Sequence, residues 1–364
     1  MTPPRKDTLV VLIDDERDQV QWLHDDLAGE LDITLVEPDG LTDDLLSRGM
    51  IFLIDMFLDE WPGREEQEPA ARVFDGIALA AVIRSHARKV KRPPPVVALH
   101  TGHAGDFSDL PDEIREHALA RAHNLEWVFL KQGSRSGIPT PERVLALADA
   151  QTRLPKWWPE ESGDNELLRV LGAGVEELGE ILDCWPPSRE VGRDTAGTAV
   201  LRWLLHRILP YPCFLLDRRH VAARLGITCG SLNEAFSGGG ALAEALGRCA
   251  YAGILAAFDG PRWWRSRVER MLWELSPDGA LPATTDDLQH HTLLNLIPAA
   301  TRNGVVALRA DYTPAEEPVD VSEAVRIQLD DWPPYAEDAW AAIADAREDA
   351  RLSRRVLPLD RDRL

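Results

Sequence analysis

The chain has no long hydrophobic run. None of the apolar stretches in its 364 residues approaches the roughly 18–20 residues that a helix needs to cross a bilayer. The first apolar run, residues 8–13, is followed by acids and not by a small-residue cleavage site, so we expect no signal peptide. These absences predict a cytoplasmic protein with no membrane partner.

Cysteine is scarce, and no two cysteines have the spacing of a metal or redox motif. The four cysteines form no Cys-x-x-Cys pair, which predicts reduced thiols in the cytoplasm (Cys184, Cys213, Cys229, Cys249). They show no zinc pattern with His206 or His220, and the pair His290-His291 has no companion at metal-ligand spacing. The glycine run 238–240 lacks the Lys-Ser/Thr that completes a phosphate-binding loop.

Basic residues are fewer than acidic residues. The chain has 40 Lys and Arg against 61 Asp and Glu, a formal net charge of −21. Such a chain does not bind nucleic acid through its overall field, and a local basic patch would have to overcome the repulsion. The hydrophobic content of 45% is enough for buried cores, and the length predicts two domains.

The first half alternates short apolar runs with helical periods. The predicted strands are 8–13, 31–36, 50–54, 96–100 and 126–130, and the predicted helices are 17–29, 41–48, 75–90, 111–122 and 140–150. This alternation predicts an α/β flavodoxin-like domain over residues 1–150, with a doubly wound, five-stranded parallel sheet. In such a sheet, the functional groups lie at the carboxyl ends of the strands.

Those strand ends carry a consistent set of side chains. Asp14 and Asp15 follow the first strand and Asp55 follows the third, while Thr101 and Lys131 follow the fourth and fifth. Carboxylates from two strands can hold Mg²⁺, and a carboxylate can also attack a phosphoryl group. A lysine and a threonine hydroxyl can bind phosphoryl oxygens. Each residue alone is an ordinary loop or surface residue, but their joint order predicts phosphoryl chemistry.

Residues 8–150 resemble the receiver domains of two-component response regulators. The segments that carry the resemblance are LVVLIDDE, IFLID, FDGIALAAVIR, VVALHTG and VFLKQG. The resemblance implies that Asp55 accepts a phosphoryl group from a histidine kinase in a phosphorelay. It implies Mg²⁺ bound by Asp14, Asp15, Asp55 and the backbone carbonyl of Phe57. It also implies that Thr101 and Lys131 contact the phosphoryl group.

Three departures from the family pattern lie near this site. An acidic insertion, 59–74, delays Asp75-Gly76, and Gln132 replaces the proline that usually follows the lysine. The aromatic switch position is Val128, with Trp127 beside it. These departures predict that phosphorylation triggers a switch unlike the usual one.

The second half predicts a different kind of structure. Residues 151–165 have the composition of a linker, and 166–364 predict a mainly helical output domain. The predicted helices are 166–183, 195–209, 218–225, 230–236, 241–258, 263–275, 286–297 and 337–353, with a short strand pair at 304–311 and 325–329.

Residues 218–235 fit a helix-turn-helix template. Arg218, Arg219 and Arg224 could contact DNA phosphates, although the second helix is polar and not basic. An ordinary corner between two packed helices fits the same pattern. The basic, aromatic segment 261–273 could likewise face nucleic acid or simply form an amphipathic helix.

Three hypotheses for function follow. The first is a transcriptional regulator that dimerises through the 111–150 surface and binds DNA through 218–235. The second is a protein-interaction adaptor with no DNA binding, and the third is a receiver-gated enzyme with an unrecognised active site. We expect no enzymatic activity beyond the receiver's own phosphorylation chemistry. DNA binding requires that the arginines form a contiguous basic face and not pair with acids.

Overall fold

The chain folds into two compact units, which are described separately. The structure, a computed structural model, describes residues 5–59, 61, 64, 75–102, 112–131, 137–159, 162–187, 196–276, 283, 287–288, 297 and 300–364. The first unit comprises 1–175, 185–207 and 253–260, and the second comprises 176–184, 208–252 and 261–364. In the part of the chain described, no helix has both the length and the apolar character needed to span a membrane.

A five-stranded parallel sheet forms the centre of the first unit. Its strands are β1 (Arg5–Ile13), β2 (Leu31–Val36), β3 (Ile51–Ile54), β4 (Val96–Thr101) and β5 (Trp127–Leu130). The strand order is β2-β1-β3-β4-β5. Strands β3 and β4 are buried throughout, which explains their unbroken apolar runs. The sheet fits the flavodoxin-like receiver fold that the sequence predicted.

Among the described residues, the α-helices that accompany this sheet are α1 (Arg17–Leu27), α2 (Asp43–Arg48), α3 (Gly76–Lys89), α4 (Asp112–Ala122) and α5 (Thr140–Arg153). Helix α1 buries Val20, Leu23 and Leu27 at helical spacing. Helix α3 begins where the Asp75 side chain accepts a hydrogen bond from Ala78 N at 2.7 Å. Helices α3 and α4 share one core with β3 and β4, whereas α1 packs beside α5.

The first unit extends beyond the sheet and these helices. It contains α6 (Gly163–Leu171) and α8 (Thr198–Trp203), which runs into a π-helix over Leu204–Ile208. The predicted linker 151–165 does not separate the units, because residues 151–153 complete α5 and both Leu154 and Trp158 are buried. The predicted helix 166–183 is interrupted. Gly172, at φ 64°, ends α6, and α7 (Leu178–Asp183) begins only after a 3₁₀ turn.

The second unit mixes short helices with two-stranded antiparallel sheets. Its helices are α7, α9 (Arg218–Leu225), α10 (Cys229–Gly238), α11 (Ala241–Cys249), α12 (Arg265–Glu274), α13 (Ile343–Glu348) and α14 (Ala350–Arg355). Its strand pairs are β6 (Leu215–Leu216) with β7 (Trp263–Trp264), β8 (Gly304–Val305) with β9 (Val319–Asp320), and β10 (Ala324–Ile327) with β11 (Ala339–Ala342).

Several predictions for this half were wrong in detail. The helix predicted over 241–258 ends at Cys249, and the helix predicted over 337–353 is a strand followed by two short helices. Residues 304–305 pair with 319–320, and not with the predicted 325–329. Most of the predicted helix 286–297 lies outside the described residues, as does the His290-His291 pair.

The helical pair at 218–235 is present. Gly226 adopts the left-handed conformation at φ 66° and ends α9. The Thr228 side chain then caps α10 by accepting a hydrogen bond from Ser231 N at 3.0 Å. The fold at this place is therefore a helix, a tight turn and a helix.

Candidate functional site

Two buried carboxylates lie at the carboxyl end of the sheet. The Asp55 N–H donates to Ile13 O at 2.8 Å, and the Asp14 N–H donates to Val36 O at 3.2 Å. These bonds continue the ladders that join β1 to its neighbours, so each aspartate directly follows the last paired residue of its strand. Both side chains are buried.

The carboxylates gather around one lysine. Oxygens of Asp14, Asp15 and Asp55 all lie within 4.8 Å of one another. Lys131 Nζ lies 2.8 Å from Asp14 Oδ2 and 3.3 Å from Asp55 Oδ2. We call Asp14, Asp15, Asp55, Thr101 and Lys131 the acidic pocket. The structure brings four of the predicted side chains together, those of Asp14, Asp15, Asp55 and Lys131, and Thr101 ends the neighbouring strand β4.

The electrostatics of the pocket favour a bound cation. Burial, reinforced by the Asp14 carboxylate, raises the pKa of Asp55 to about 7. Burial also raises the pKa of Asp14, although Lys131 opposes this. Burial alone would lower the pKa of Lys131, but the two carboxylates outweigh it and the pKa is raised. Lys131 thus offsets only part of the negative charge of three acidic side chains, and the pocket favours a further cation.

The residues of the pocket fit Mg²⁺. Asp55 Oδ1 is buried and has no hydrogen-bond partner in the part of the chain that the structure describes. Such an orphaned oxygen costs free energy unless something binds it. Three carboxylates offer the hard oxygen ligands that Mg²⁺ prefers. Among the residues described, this is the one group of three or more His, Cys, Asp or Glu that could hold a metal ion.

Thr101 and Lys131 are held side by side. Thr101 is the buried last residue of β4, and the Lys131 N–H donates to Thr101 O at 2.9 Å. Phe57, the predicted carbonyl ligand, forms an isolated antiparallel bridge with Asp75. The segment after Asp55 is thereby tied to the start of α3.

Gly76 is a positioning residue whose role the sequence analysis did not identify. Its N–H donates to Met56 O at 2.9 Å. A Cβ at this position would lie 2.2 Å from Asp55 O and 2.8 Å from Leu99 Cδ2. Only glycine allows the start of α3 to approach the Asp55 backbone this closely. The signal in the sequence was the Asp75-Gly76 pair at a helix start.

The departures from the family pattern have partly visible consequences. Val128 is buried in the core shared by α3 and α4. Trp127 lies on the other face of β5, where its Nε1 donates to Glu116 Oε2 at 3.0 Å. Of the insertion 59–74, Trp61 is buried, while most of the segment and Gln132 lie outside the described residues.

The arginines predicted to contact DNA are paired with acids. Arg218 binds Glu316, and Arg219 lies 3.1 Å from Glu316 and 3.6 Å from Asp217. Arg224 binds Glu337 and lies 3.5 Å from Glu269 (Oε1). Two further arginines behave alike: Arg262 lies 3.7 Å from Asp217, and Arg265 lies 3.7 Å from Glu180. The condition for a contiguous basic face is not met.

Comparisons with known proteins are sparse. No family model matches the chain, and no curated protein matches it. Among solved structures, it is similar to the RcsB response regulator of Salmonella typhimurium at 17% identity and a TM-score of 0.26, covering 55% of this chain and 98% of that one. RcsB of Salmonella enterica serovar Typhimurium bound to promoter P1flhDC with the phosphomimetic BeF₃⁻ matches at 14% identity, with the same TM-score and coverage. At this TM-score neither likeness carries an argument about this chain.

Proposed function

We propose that the first unit is a phosphoryl-accepting receiver and that Asp55 receives the phosphoryl group from a histidine kinase. The supporting observation is the geometry of the acidic pocket, in which three carboxylates and Lys131 meet at the carboxyl end of a five-stranded parallel sheet. The resemblance of residues 8–150 to response regulators supports the same conclusion.

The chemistry assigns a role to each side chain. A carboxylate oxygen of Asp55 forms a bond to phosphorus, the bond from phosphorus to the donor breaks, and the electron pair leaves with the donor. Lys131 and Thr101 contact the transferred oxygens. Asp14, Asp15, Asp55 and the Phe57 carbonyl would hold Mg²⁺, which neutralises phosphate charge when bound.

The test is labelling of the full chain with acetyl phosphate and Mg²⁺. We expect one phosphoryl group by intact mass spectrometry, labile to hydroxylamine and absent from Asp55→Asn. Asp59→Asn, which changes an exposed acid four residues away, is the matched control and should label normally. A label that persists in Asp55→Asn contradicts the assignment.

For the output we favour a protein partner over DNA. The ion pairs of Arg218, Arg219 and Arg224 already occupy the charges that would neutralise DNA phosphates. The net charge of −21 opposes DNA further. No observation favours a receiver-gated enzyme.

A gel-shift assay against random duplex at low salt separates the two outputs. We expect no shift with either the unphosphorylated or the phosphorylated chain. Binding that is lost in an Arg218→Ala, Arg219→Ala double variant would restore the transcriptional hypothesis.

A further inference from the structure

The edge strand of the receiver sheet is covered by the unit's own chain. Strand β5 lies at one edge of the sheet, where backbone groups are usually open to pairing. Yet residues 125–129 are all buried. The segments that contact this edge are residues 196–207 and 253–260 of the same unit. We call them the cover segments.

The first cover segment is fastened by polar contacts. The Glu126 carboxylate is buried and accepts from Val97 N at 2.5 Å and from Arg84 at 3.3 Å. The same carboxylate binds Arg202 of the cover, which also donates to Asn124 Oδ1 at 3.0 Å. His206 Nε2 lies 2.8 Å from Leu125 O. A buried carboxylate shared by two arginines fixes this segment at the start of β5.

The second cover segment contacts β5 through an aromatic side chain. Phe258 is fully buried, and its ring lies edge-on to Trp127 at 4.9 Å. The Arg143 guanidinium lies 4.7 Å from the Phe258 ring centroid and 4.8 Å from that of Trp127, while Glu116 binds it at 2.7 Å. A desolvated cation between two rings makes this contact specific in geometry.

Helix α5 has little fully exposed surface, and seven of its residues are buried. Of its 14 residues, only Glu142 and Thr152 are exposed. A helix that offers a face to a second copy keeps that face open in the monomer. Of the 111–150 surface predicted for dimerisation, the cover segments therefore already occupy β5 and the part of α5 around Arg143.

We propose that the cover segments are an internal ligand of the receiver, and that the state of Asp55 is read through Phe258 within one chain and not by pairing with a second copy. This inference rests on the proposed function. Phe129 lies two residues before Lys131 on β5, with its ring centroid 6.4 Å from that of Phe258. A phosphoryl group on Asp55 draws Lys131 away from Asp14 and so shifts the end of β5 beneath the Phe258 ring.

Thermodynamic linkage makes this coupling measurable at the acidic pocket or at the cover segments. If the acidic pocket and the cover bias one equilibrium, loosening the cover changes the affinity of the pocket for a phosphoryl mimic, and the mimic changes the opening of the cover. In the chain, residues 253–260 lie between α11 and β7, both elements of the second unit. The covalent connection gives the signal a route to that unit.

The experiment titrates the full chain with beryllium fluoride at fixed Mg²⁺, using calorimetry. We expect Phe258→Ala to change the apparent Kd by at least about fivefold, the lower end of typical couplings. Phe258→Leu should restore part of the wild-type value, and Val82→Ala, which shortens an exposed side chain of the same unit, should leave it unchanged. In the wild type, beryllium fluoride should change deuterium uptake in peptides covering 196–207 and 253–260.

The outcomes separate the two proposals. If wild-type protein with a normal thermal transition does not bind beryllium fluoride, the proposed function and this inference both fall. If it binds, but Phe258→Leu and Phe258→Ala match the wild type and uptake in the cover is unchanged, only this inference is overturned. A dimer formed on binding, with new protection on α5, would overturn it as well.

Discussion

Replacing Asp55 with Asn should stabilise the metal-free protein, and increasingly so as the pH rises. The wild-type carboxyl is buried beside the Asp14 carboxylate, which raises its pKa from the ordinary 3.8 to about 7. The Asp55 carboxyl therefore stabilises the folded state as long as it is protonated in both the folded and the unfolded chain. Its contribution is fully present below pH 3.8 and is lost as the pH rises through 7.

The size of the effect follows from the two pKa values. One pKa unit corresponds to about 1.4 kcal/mol, so ionising Asp55 in the folded state costs about 4 kcal/mol in all. Between pH 5 and pH 8 the loss is about 2.5 kcal/mol, because part of it has already occurred at pH 5. Asn carries no charge at either pH. The free energy of unfolding of Asp55→Asn minus that of the wild type should therefore grow by about 2.5 kcal/mol across this interval.

The assay is urea denaturation of the full chain in EDTA, followed by tryptophan fluorescence at pH 5 and pH 8. Asp59→Asn controls for the loss of one acid at an exposed position. Saturating Mg²⁺ should remove much of the difference, since a cation that binds only the folded pocket stabilises the wild type. A difference that stays constant or narrows from pH 5 to pH 8 would refute this account of the pocket.

Three further outcomes follow from single contacts. Burial lowers the pKa of His100 to about 3, so the free energy of unfolding falls as the pH drops from 6.5 towards 3. Between pH 7 and pH 5, this free energy should fall by about 2 kcal/mol more in the wild type than in His100→Leu. Equal decreases in urea unfolding would contradict this. Gly76→Ala should lower the free energy of unfolding by at least about 2 kcal/mol in the same assay, because the added Cβ would collide with the backbone. The control Gly29→Ala should be nearly neutral, because its Cβ would have no atom within 4 Å. Glu126→Gln should lower the free energy of unfolding by about 3 kcal/mol, because two arginines lose a buried counter-charge. The control is Glu142→Gln, which changes an exposed residue. A decrease for Glu126→Gln as small as that of the control would argue against the role of Glu126.

The first half could be predicted because its signals are local. Each strand is a short apolar run, and the residue that follows it is placed by chain direction alone. Asp14, Asp55 and Lys131 were therefore assigned to one edge of the sheet without knowledge of any distance. What the sequence did not reveal was Gly76, because its constraint is a through-space approach to the Asp55 backbone.

The second half was harder because non-local pairing overrides local preference. Residues 241–258 have helical composition, yet Ala250 bridges to Trp263 and the Tyr251 N–H donates to Arg262 O at 2.8 Å. Residues 339–342 also look helical, but they pair with Ala324–Ile327 in an antiparallel ladder. Strand partners of this kind outweigh propensities of a few tenths of a kcal/mol per residue.

The valine at the aromatic switch position, Val128, and the covered edge of β5 are explained by the same alternation of side chains. Because side chains alternate along a strand, Val128 faces the core under α3 and α4, whereas Trp127 and Phe129 face Arg143 and the cover. A switch that swings an aromatic ring from position 128 cannot operate with valine there. The aromatic surface of β5 instead lies on the opposite face, beneath Phe258. If Asp55 signals through β5, the cover segments are the groups placed to respond.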